Sequence, residues 1–368
     1  MNIAVITGAS SGIGEQFLRQ LVLERSAFGS VPFEEIWVIA RRVERLFSLK
    51  NELDPVRIRI FNLDLISSSA VADMAEELKK RKPSIGLLVN CAGVGKNGRF
   101  ETLPSEDVHR MVALNCAALA EFTSICLPYM IPTGDLCSYA TGPRILNIAS
   151  SAGFLPQPGF SVYAASKSFV ISFSRALHAE LRIHNIASTT VCPGPVATEF
   201  ASVATGVPGA KTEGFKSLFV VKPARLVKKS ILASKRGRGL YVYGFSQKVI
   251  HVLSKILPVH FLVFLMTKLF KDARAPSNSQ QVTPDTVQVT PDTVQASAAG
   301  TGTSSLQSAP IQASSLPTPA PTPAPVPAQT PPKQDLPASA NGASAASGTP
   351  GTSEQALKIL SMYPGKSH

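Results

Sequence analysis

Several absences narrow the chemistry open to this 368-residue chain. Its five cysteines, Cys91, Cys116, Cys126, Cys137 and Cys192, show no paired spacing of the zinc or redox type. Neither a metal centre nor a disulfide framework is expected, and they read as small core residues kept reduced. Two apolar runs between residues 245 and 270 fall short of the ~18 uninterrupted residues that a membrane-spanning helix needs, and Pro258 divides them. Neither Ser150 nor Ser151 sits in a Gly-x-Ser-x-Gly elbow, and His178 and His184 read as surface-facing on a helix farther along. A serine hydrolase would therefore lack both its turn and its base. Beyond about residue 276, large apolar side chains are scarce among Ser, Thr, Pro, Ala and Gln, so residues 276–368 are expected to form a disordered tail. Residues Met1 to Ile6 read as a strand rather than a signal peptide, which makes a cytoplasmic location the expectation.

What is present is an alternation of strands and helices. Strand-type apolar runs begin at Ile3, Ile36, Ile58, Leu87, Ile145, Ser188 and Leu240, with helix-like segments between them. Strands joined by such long crossovers need a mostly parallel sheet covered on both faces. The fold class predicted is α/β, a doubly wound, mostly parallel, seven-stranded sheet of Rossmann type over residues 1–245. In such sheets ligands sit at the carboxyl ends of the strands.

The stretch Tyr163-Ala164-Ala165-Ser166-Lys167 falls in a segment whose apolar residues Val170, Phe173, Leu177 and Leu181 recur at helical spacing. Positions 163 and 167 therefore share one face. A lysine cation held beside a tyrosine stabilises the phenolate and makes the hydroxyl a usable general acid. Around this pair stand Thr7-Gly-Ala-Ser-Ser-Gly-Ile-Gly14, Asn90-Cys-Ala-Gly93, Asn115, Ser150 thirteen residues before Tyr163, and Pro193-Gly-Pro-Val-Ala-Thr198. Together these pieces resemble the short-chain dehydrogenase/reductase family over residues 1 to about 245. The resemblance implies a catalytic set of Asn115, Ser150, Tyr163 and Lys167. Ser150 would polarise a substrate carbonyl as charge develops there, with Ser151 the fallback. The backbone near Asn115 would bind a water linking Lys167 to solvent; a buried, locally satisfied Asn115 is the plainer alternative.

The glycine loop, placed after a strand and before a helix running from about Ile13 to Glu24, suits a pyrophosphate. Gly8, Ser10, Ser11, Gly12, Ile13 and Gly14 are its cofactor candidates. At the end of the second strand an acidic side chain would hold the ribose hydroxyl of NAD. Here Ala40 is followed by Arg41 and Arg42, whose guanidiniums suit a 2′-phosphate. NADP(H) is therefore the expected cofactor, with Arg41 the first contact and Arg42 the second. By resemblance Asp64 accepts from the adenine, although a helix N-cap is open to it as well. Asn90, Ala92 and Gly93 let the ribose pass close to the backbone, Asn90 in a more structural role. By the same resemblance Pro193, Gly194, Val196 and Thr198 would cover the nicotinamide end, joined by Tyr163 and Lys167.

Residues Glu199 to about Ser217 fall in the family's variable substrate lid, where Phe200, Val203, Val207, Phe215 and Phe219 suggest an apolar substrate and Gly206, Gly209 and Gly214 suggest movement. The reaction implied interconverts a ketone and a secondary alcohol on a lipid-like molecule of 3-oxoacyl or steroid type. A binding protein that signals NADP occupancy through its tail is the second reading. Between Met130 and Arg144 a longer loop than the family needs is expected. The +12 net charge is concentrated: residues 211–275 hold 14 basic and 2 acidic side chains. That points to an anionic partner, either a membrane surface or a charged substrate carrier; no nucleic-acid partner is expected. Residues 246–275 form a basic amphipathic segment expected to rest on an anionic membrane surface, with a lid over the pocket and a dimer contact as rivals. A homodimer or homotetramer through the helices bearing Asn115 and Tyr163 is implied by the resemblance. The repeated Val-Thr-Pro-Asp-Thr-Val-Gln at 282–295 and the Pro-Thr-Pro-Ala runs read as an extended spacer.

Overall fold

A computed structural model describes residues 1–23, 32–131, 138–207, 209 and 220–269. The described residues all fall within one compact unit. The expectations for residues 276–368, for Cys137 and for Gly214, Phe215 and Phe219 lie outside the described residues.

Seven strands make one sheet: β1 (Asn2–Thr7), β2 (Glu35–Ala40), β3 (Ile58–Asn62), β4 (Ser84–Asn90), β5 (Arg144–Ile148), β6 (Ala187–Cys192) and β7 (Leu240–Val242). Their order is β3-β2-β1-β4-β5-β6-β7, and every pairing is parallel. The helices between them are α1 (Gly12–Leu23), α2 (Val43–Leu53), α3 (Ser68–Arg81), α4 (Ser105–Val112), α5 (Ala118–Cys126), α6 (Ser161–Glu180), α7 (Phe200–Thr205) and α8 (Pro223–Lys235). Two more, α9 (Phe245–Ile256) and α10 (Val259–Leu269), follow β7.

Alternation along β1 shows how the sheet is covered. Ala4 and Ile6 face one layer, with Phe17, Leu18 and Leu21 of α1 and Leu226, Val227 and Ile231 of α8. Ile3 and Val5 face the other, with Met74 and Leu78 of α3, Phe122 and Cys126 of α5 and Leu177 of α6. Side chains of period two thus feed two separate cores, and β1 is buried along nearly its whole length because both faces are occupied. The order reverses at β1, whose neighbours are β2 and β4. The crevice at that reversal lies beyond the strands' carboxyl ends.

Among the described residues one helical run, Ser105–Tyr129, is long and apolar enough to cross a membrane. Its inward residues Phe122 and Cys126 pack against the sheet, as a core helix does. The run is broken at 113–117 by a π turn carrying Asn115. At the opposite end of the sheet, Arg144 is 1% exposed and donates to the carbonyls of Tyr139, Ala140, Gly142, Pro143 and Ser234. These bonds tie down the described part of the loop expected before β5. His178 is not surface-facing as the helical pattern suggested: it is half-buried, with Nδ1 2.8 Å from the Ser188 carbonyl and Nε2 3.5 Å from the Tyr139 hydroxyl.

Candidate active site

A cleft of about 1780 Å³ opens at the carboxyl ends of the strands. Its floor is the turn from β1 into α1. Gly8 has φ +68°, and a Cβ there would stand 2.8 Å from the Ala92 backbone, so only glycine lets this turn meet the end of β4. Thr7 fixes the approach, its Oγ1 accepting from Cys91 N at 3.0 Å and Ala92 N at 3.1 Å. Ser10, Ser11, Gly12, Ile13, Ala92 and Gly93 all reach the cleft wall.

The phenol and the ammonium come from the first turns of α6. Tyr163 and Lys167 are 7% and 6% exposed, and both line the cleft. The Tyr163 ring lies 4.7 Å from that of Phe160 and 5.3 Å from that of Phe200. The Ser150 side chain acts on its hydroxyl, drawing the phenol's pKa down against burial. Ser150 Oγ also accepts from Ala152 N at 3.1 Å and so caps the short turn 151–154. Ser151 instead donates its backbone N–H to Pro193 O. Of the two serines it is Ser150 that meets the tyrosine.

One expectation about this pair is not met. Lys167 Nζ donates to Ile148 O at 3.0 Å and sits 5.8 Å from the Tyr163 ring centre. Burial dominates for both groups. The phenol is pushed up to about 12, with the Ser150 side chain acting the other way. The ammonium is pushed down to about 8 because little water reaches it. The tyrosine is therefore held protonated, as a general acid must be, but without the lowering that a nearby lysine was expected to give. Burial likewise pushes the neighbouring Cys91 thiol up to about 12, which leaves it no role as a nucleophile at neutral pH.

Asn115 is fully buried. Its amide accepts from Val94 N at 2.9 Å and donates to Val94 O at 2.8 Å and Ser166 Oγ at 2.9 Å. Ser166 Oγ in turn donates to the Tyr163 carbonyl at 2.7 Å. A Cβ on Gly93 would lie 3.1 Å from Asn115 Oδ1 and 3.3 Å from Lys167 Nζ. The β4 end, the π turn and α6 thus lock around one point. Asn90, Asn115 and Gly14 do not reach the cleft wall. Asn90 Nδ2 donates to Thr123 Oγ1 and Asn147 Oδ1, both at 2.8 Å, inside the core.

At the far side of the glycine loop, Arg42 Nη2 donates to Ser11 Oγ at 2.6 Å and Arg42 Nη1 to Glu199 at 2.8 Å. Arg41 pairs with Asp64 at 3.4 Å. Asp64 accepts from Ile66 N, while Ser67 holds the cap position of α3, so the N-cap alternative for Asp64 is not realised. Pro193, Gly194, Val196 and Thr198 line the opposite wall. Val196 is pinned by a parallel bridge to Val221, and Thr198 stands over Gly12.

Sequence reasoning missed three contributors. Glu199 joins Arg42 and Arg45 across more than 150 residues, a separation no local pattern encodes. Gln247 is buried in α9, where a Cβ on Gly194 would meet its side chain at 2.8 Å. Leu253, Leu262, Leu265 and Met266 of α9 and α10 also wall the cleft. A lid over the pocket is one of the rivals for residues 246–275, but the sequence pattern names none of these particular side chains for it.

The cradle fits a dinucleotide. Small residues meet the backbone at Gly8 and Gly93, and guanidiniums stand where a second-strand carboxylate would exclude a 2′-phosphate. Comparisons agree. Residues 2–205 match the short chain dehydrogenase family profile. The chain is 35% identical over 211 residues to sulfoacetaldehyde reductase 2 of Chromohalobacter salexigens, covering 56% of this chain and 77% of that one. It is 32% identical over 203 residues to the NADP-dependent 3-hydroxy acid dehydrogenase YdfG of Escherichia coli, covering 55% and 75%. A short-chain dehydrogenase from Sphingobium yanoikuyae solved with NADPH superposes with a TM-score of 0.56 at 26% identity, covering 76% of this chain and 98% of that one. The protein is a member of the short-chain dehydrogenase family, and so an oxidoreductase.

Proposed function

We propose that the protein is an NADP(H)-dependent oxidoreductase that interconverts a ketone and a secondary alcohol on an apolar, lipid-like substrate. The observation that carries this is the buried meeting of Ser150, Tyr163 and Lys167 at one end of a cleft whose outer wall is apolar. When bound, NADPH supplies the hydride. Ser150 donates a hydrogen bond to the carbonyl oxygen, the site where negative charge grows. Tyr163, held neutral, gives its proton to that oxygen. Lys167 holds the nucleotide ribose and offsets the phenolate charge left behind. Asn115, gripping Val94 and Ser166, positions both and keeps the π turn open for a proton relay through water. Gly8 to Gly14, Arg41, Arg42, Asp64 and the 193–198 loop bind the rest of the nucleotide.

The substrate class follows from Phe160, Phe200 and the α9–α10 side chains Leu253, Leu262, Leu265 and Met266. Together they form an apolar wall with few donors, suited to a hydrocarbon body and a single carbonyl. NADPH and NADH titrations followed by fluorescence, then turnover of medium-chain and long-chain ketones, 3-oxoacyl thioesters and steroid ketones, test the reading. NADPH preference with turnover of the long apolar ketones is expected. Turnover confined to small charged aldehydes would contradict the substrate class, and binding without turnover of any carbonyl would favour the signalling alternative.

By the same reading the protein makes peripheral contact with a membrane. The outer faces of α9 and α10 expose Val252, Ile256, Phe261 and Phe264 by half or more. Lys248, Lys255 and Lys268 flank them with no acidic residue between Glu213 and Asp272. Such a face suits anionic lipid. Co-sedimentation with phosphatidylglycerol vesicles should exceed that with phosphatidylcholine vesicles and fall in an Ile256→Ser/Phe264→Ser variant. Equal pelleting would sink the membrane reading; a concentration-dependent dimer lost in the same variant would assign the face to a second copy. The helices bearing Asn115 and Tyr163 remain the proposed dimer or tetramer seam.

A further inference from the structure

Where the glycine loop, the start of α2 and the start of α7 converge, three charged side chains form a closed set. Glu199 Oε2 accepts from Arg42 Nη1 at 2.8 Å, and Glu199 Oε1 from Arg45 Nη1 at 2.6 Å. The second arm of the Arg42 fork is held by Ser11 Oγ at 2.6 Å. A carboxylate here takes up two guanidiniums; Arg42, Ser11 and Glu199 form part of the cleft wall, and Arg45 reaches it through Glu199. The two arginines hold Glu199 well below the usual carboxylate range. Its charge therefore persists at neutral pH.

We propose that Arg42, Arg45 and Ser11 form a phosphate-monoester site for the 2′-phosphate of NADP(H), and that the Glu199 carboxylate competes for it from the substrate lid. This rests on the NADP(H) reading and goes beyond it. Arg45 becomes a cofactor-selecting residue, and Glu199 a built-in competitor. A 2′-phosphate carries up to two negative charges and three acceptor oxygens, against one charge and two oxygens for the carboxylate. It can saturate both guanidinium forks, and Arg–phosphate pairing is commonly bidentate. Where the phosphate binds, Glu199 must give up its two partners. NADH brings no group that contests them.

The consequence reaches the substrate. Glu199 precedes α7, whose Phe200 ring lies 5.3 Å from the Tyr163 ring. The Ala204 carbonyl of α7 accepts from Asn97 N at 2.9 Å. The competing carboxylate thus anchors the segment that presses an aromatic ring on the tyrosine. Occupancy of the phosphate site frees the start of α7, while the Asn97 bond and the Val196–Val221 bridge keep its ends in place.

The test is a set of dissociation constants, measured by fluorescence or calorimetry, for NADPH, NADH and adenosine 2′-monophosphate with wild type, Glu199→Gln and Arg45→Gln. Glu199→Gln keeps the shape and removes the charge. It should tighten NADPH and adenosine 2′-monophosphate by about fivefold, the scale of an exposed ion pair, and leave NADH unchanged. Arg45→Gln should weaken both phosphate-bearing ligands by about tenfold, again sparing NADH. Equal shifts for NADPH and NADH, or none in either variant, would overturn the inference while leaving the NADP(H) reading intact. Wild-type protein that binds NADH as tightly as NADPH, or binds neither, would overturn both.

Discussion

The two walls of the cleft are built differently. The wall formed by β1, β4, β5 and α6 is held by buried polar bonds: Thr7 to the β4 end, Asn115 to Val94 and Ser166, Lys167 to Ile148. The wall formed by α7, α9 and α10 rests largely on apolar contact. Gln247 against Gly194 and the His251 ring tilted 4.3 Å from that of Phe154 are among its few fixed points, and Phe245, Ile256 and Phe264 stand out in solvent. Directional bonds fix atoms to within a fraction of an ångström, as proton transfer demands. Apolar contact is non-directional, so it tolerates sliding and repacking, as accepting a bulky substrate demands. The chemistry is therefore rigid on one side and the specificity adaptable on the other.

Three substitutions would break or sharpen this contrast. The largest effect is expected from Gly93→Ala. Its methyl would press on both Asn115 and Lys167, and a displacement of about 1 Å at such a point costs on the order of 10²-fold in kcat. Steady-state kinetics with a stable fold by circular dichroism would check it; unchanged kcat would show that the polar wall is not tightly set.

Lys167 gives an intermediate effect, read through pH. Its folded value of about 8 lies below the 10.5 of an unperturbed lysine. Between those values the unfolded chain holds a proton that the folded chain has released, so stability rises with pH across that window. From pH 8 to 9, wild type should gain about 1 kcal/mol over Lys167→Met in urea unfolding, the scale of one proton per pH unit. Cys91 and Cys192, whose raised values act oppositely, are common to both proteins. Parallel curves would mean that the ammonium is better solvated than its burial implies.

The smallest effect belongs to the apolar wall. Leu262→Ala should raise KM for a long-chain ketone by about fivefold, somewhat more than one methylene's worth of buried contact, with NADPH affinity and short-ketone turnover untouched. A matching fall in NADPH affinity would tie α10 to the nucleotide.

The rigid wall was largely legible in the sequence because its parts are local. A glycine loop must follow a strand and open a helix, and Tyr163 and Lys167 must be four apart to share a helix face. The seven strand starts could be read from apolar runs that burial on both faces produces. The adaptable wall was legible only as composition. Glu199, Arg45 and Gln247 act through partners far along the chain, and an exposed glutamate before a short helix looks like any other. The direction of the Tyr163 shift was misjudged for a similar reason. Spacing puts a lysine nearby but cannot say that its Nζ turns to Ile148 and that burial dominates the phenol.

The most direct test of the account is a comparison of wild type and Tyr163→Phe with NADPH and a long-chain ketone, measuring nucleotide affinity and single-turnover hydride transfer separately. The account predicts equal NADPH affinity and a transfer rate about 10³-fold lower in the variant, the scale of a lost general acid. Equal transfer rates in the two proteins would contradict it, because another group would then be protonating the substrate.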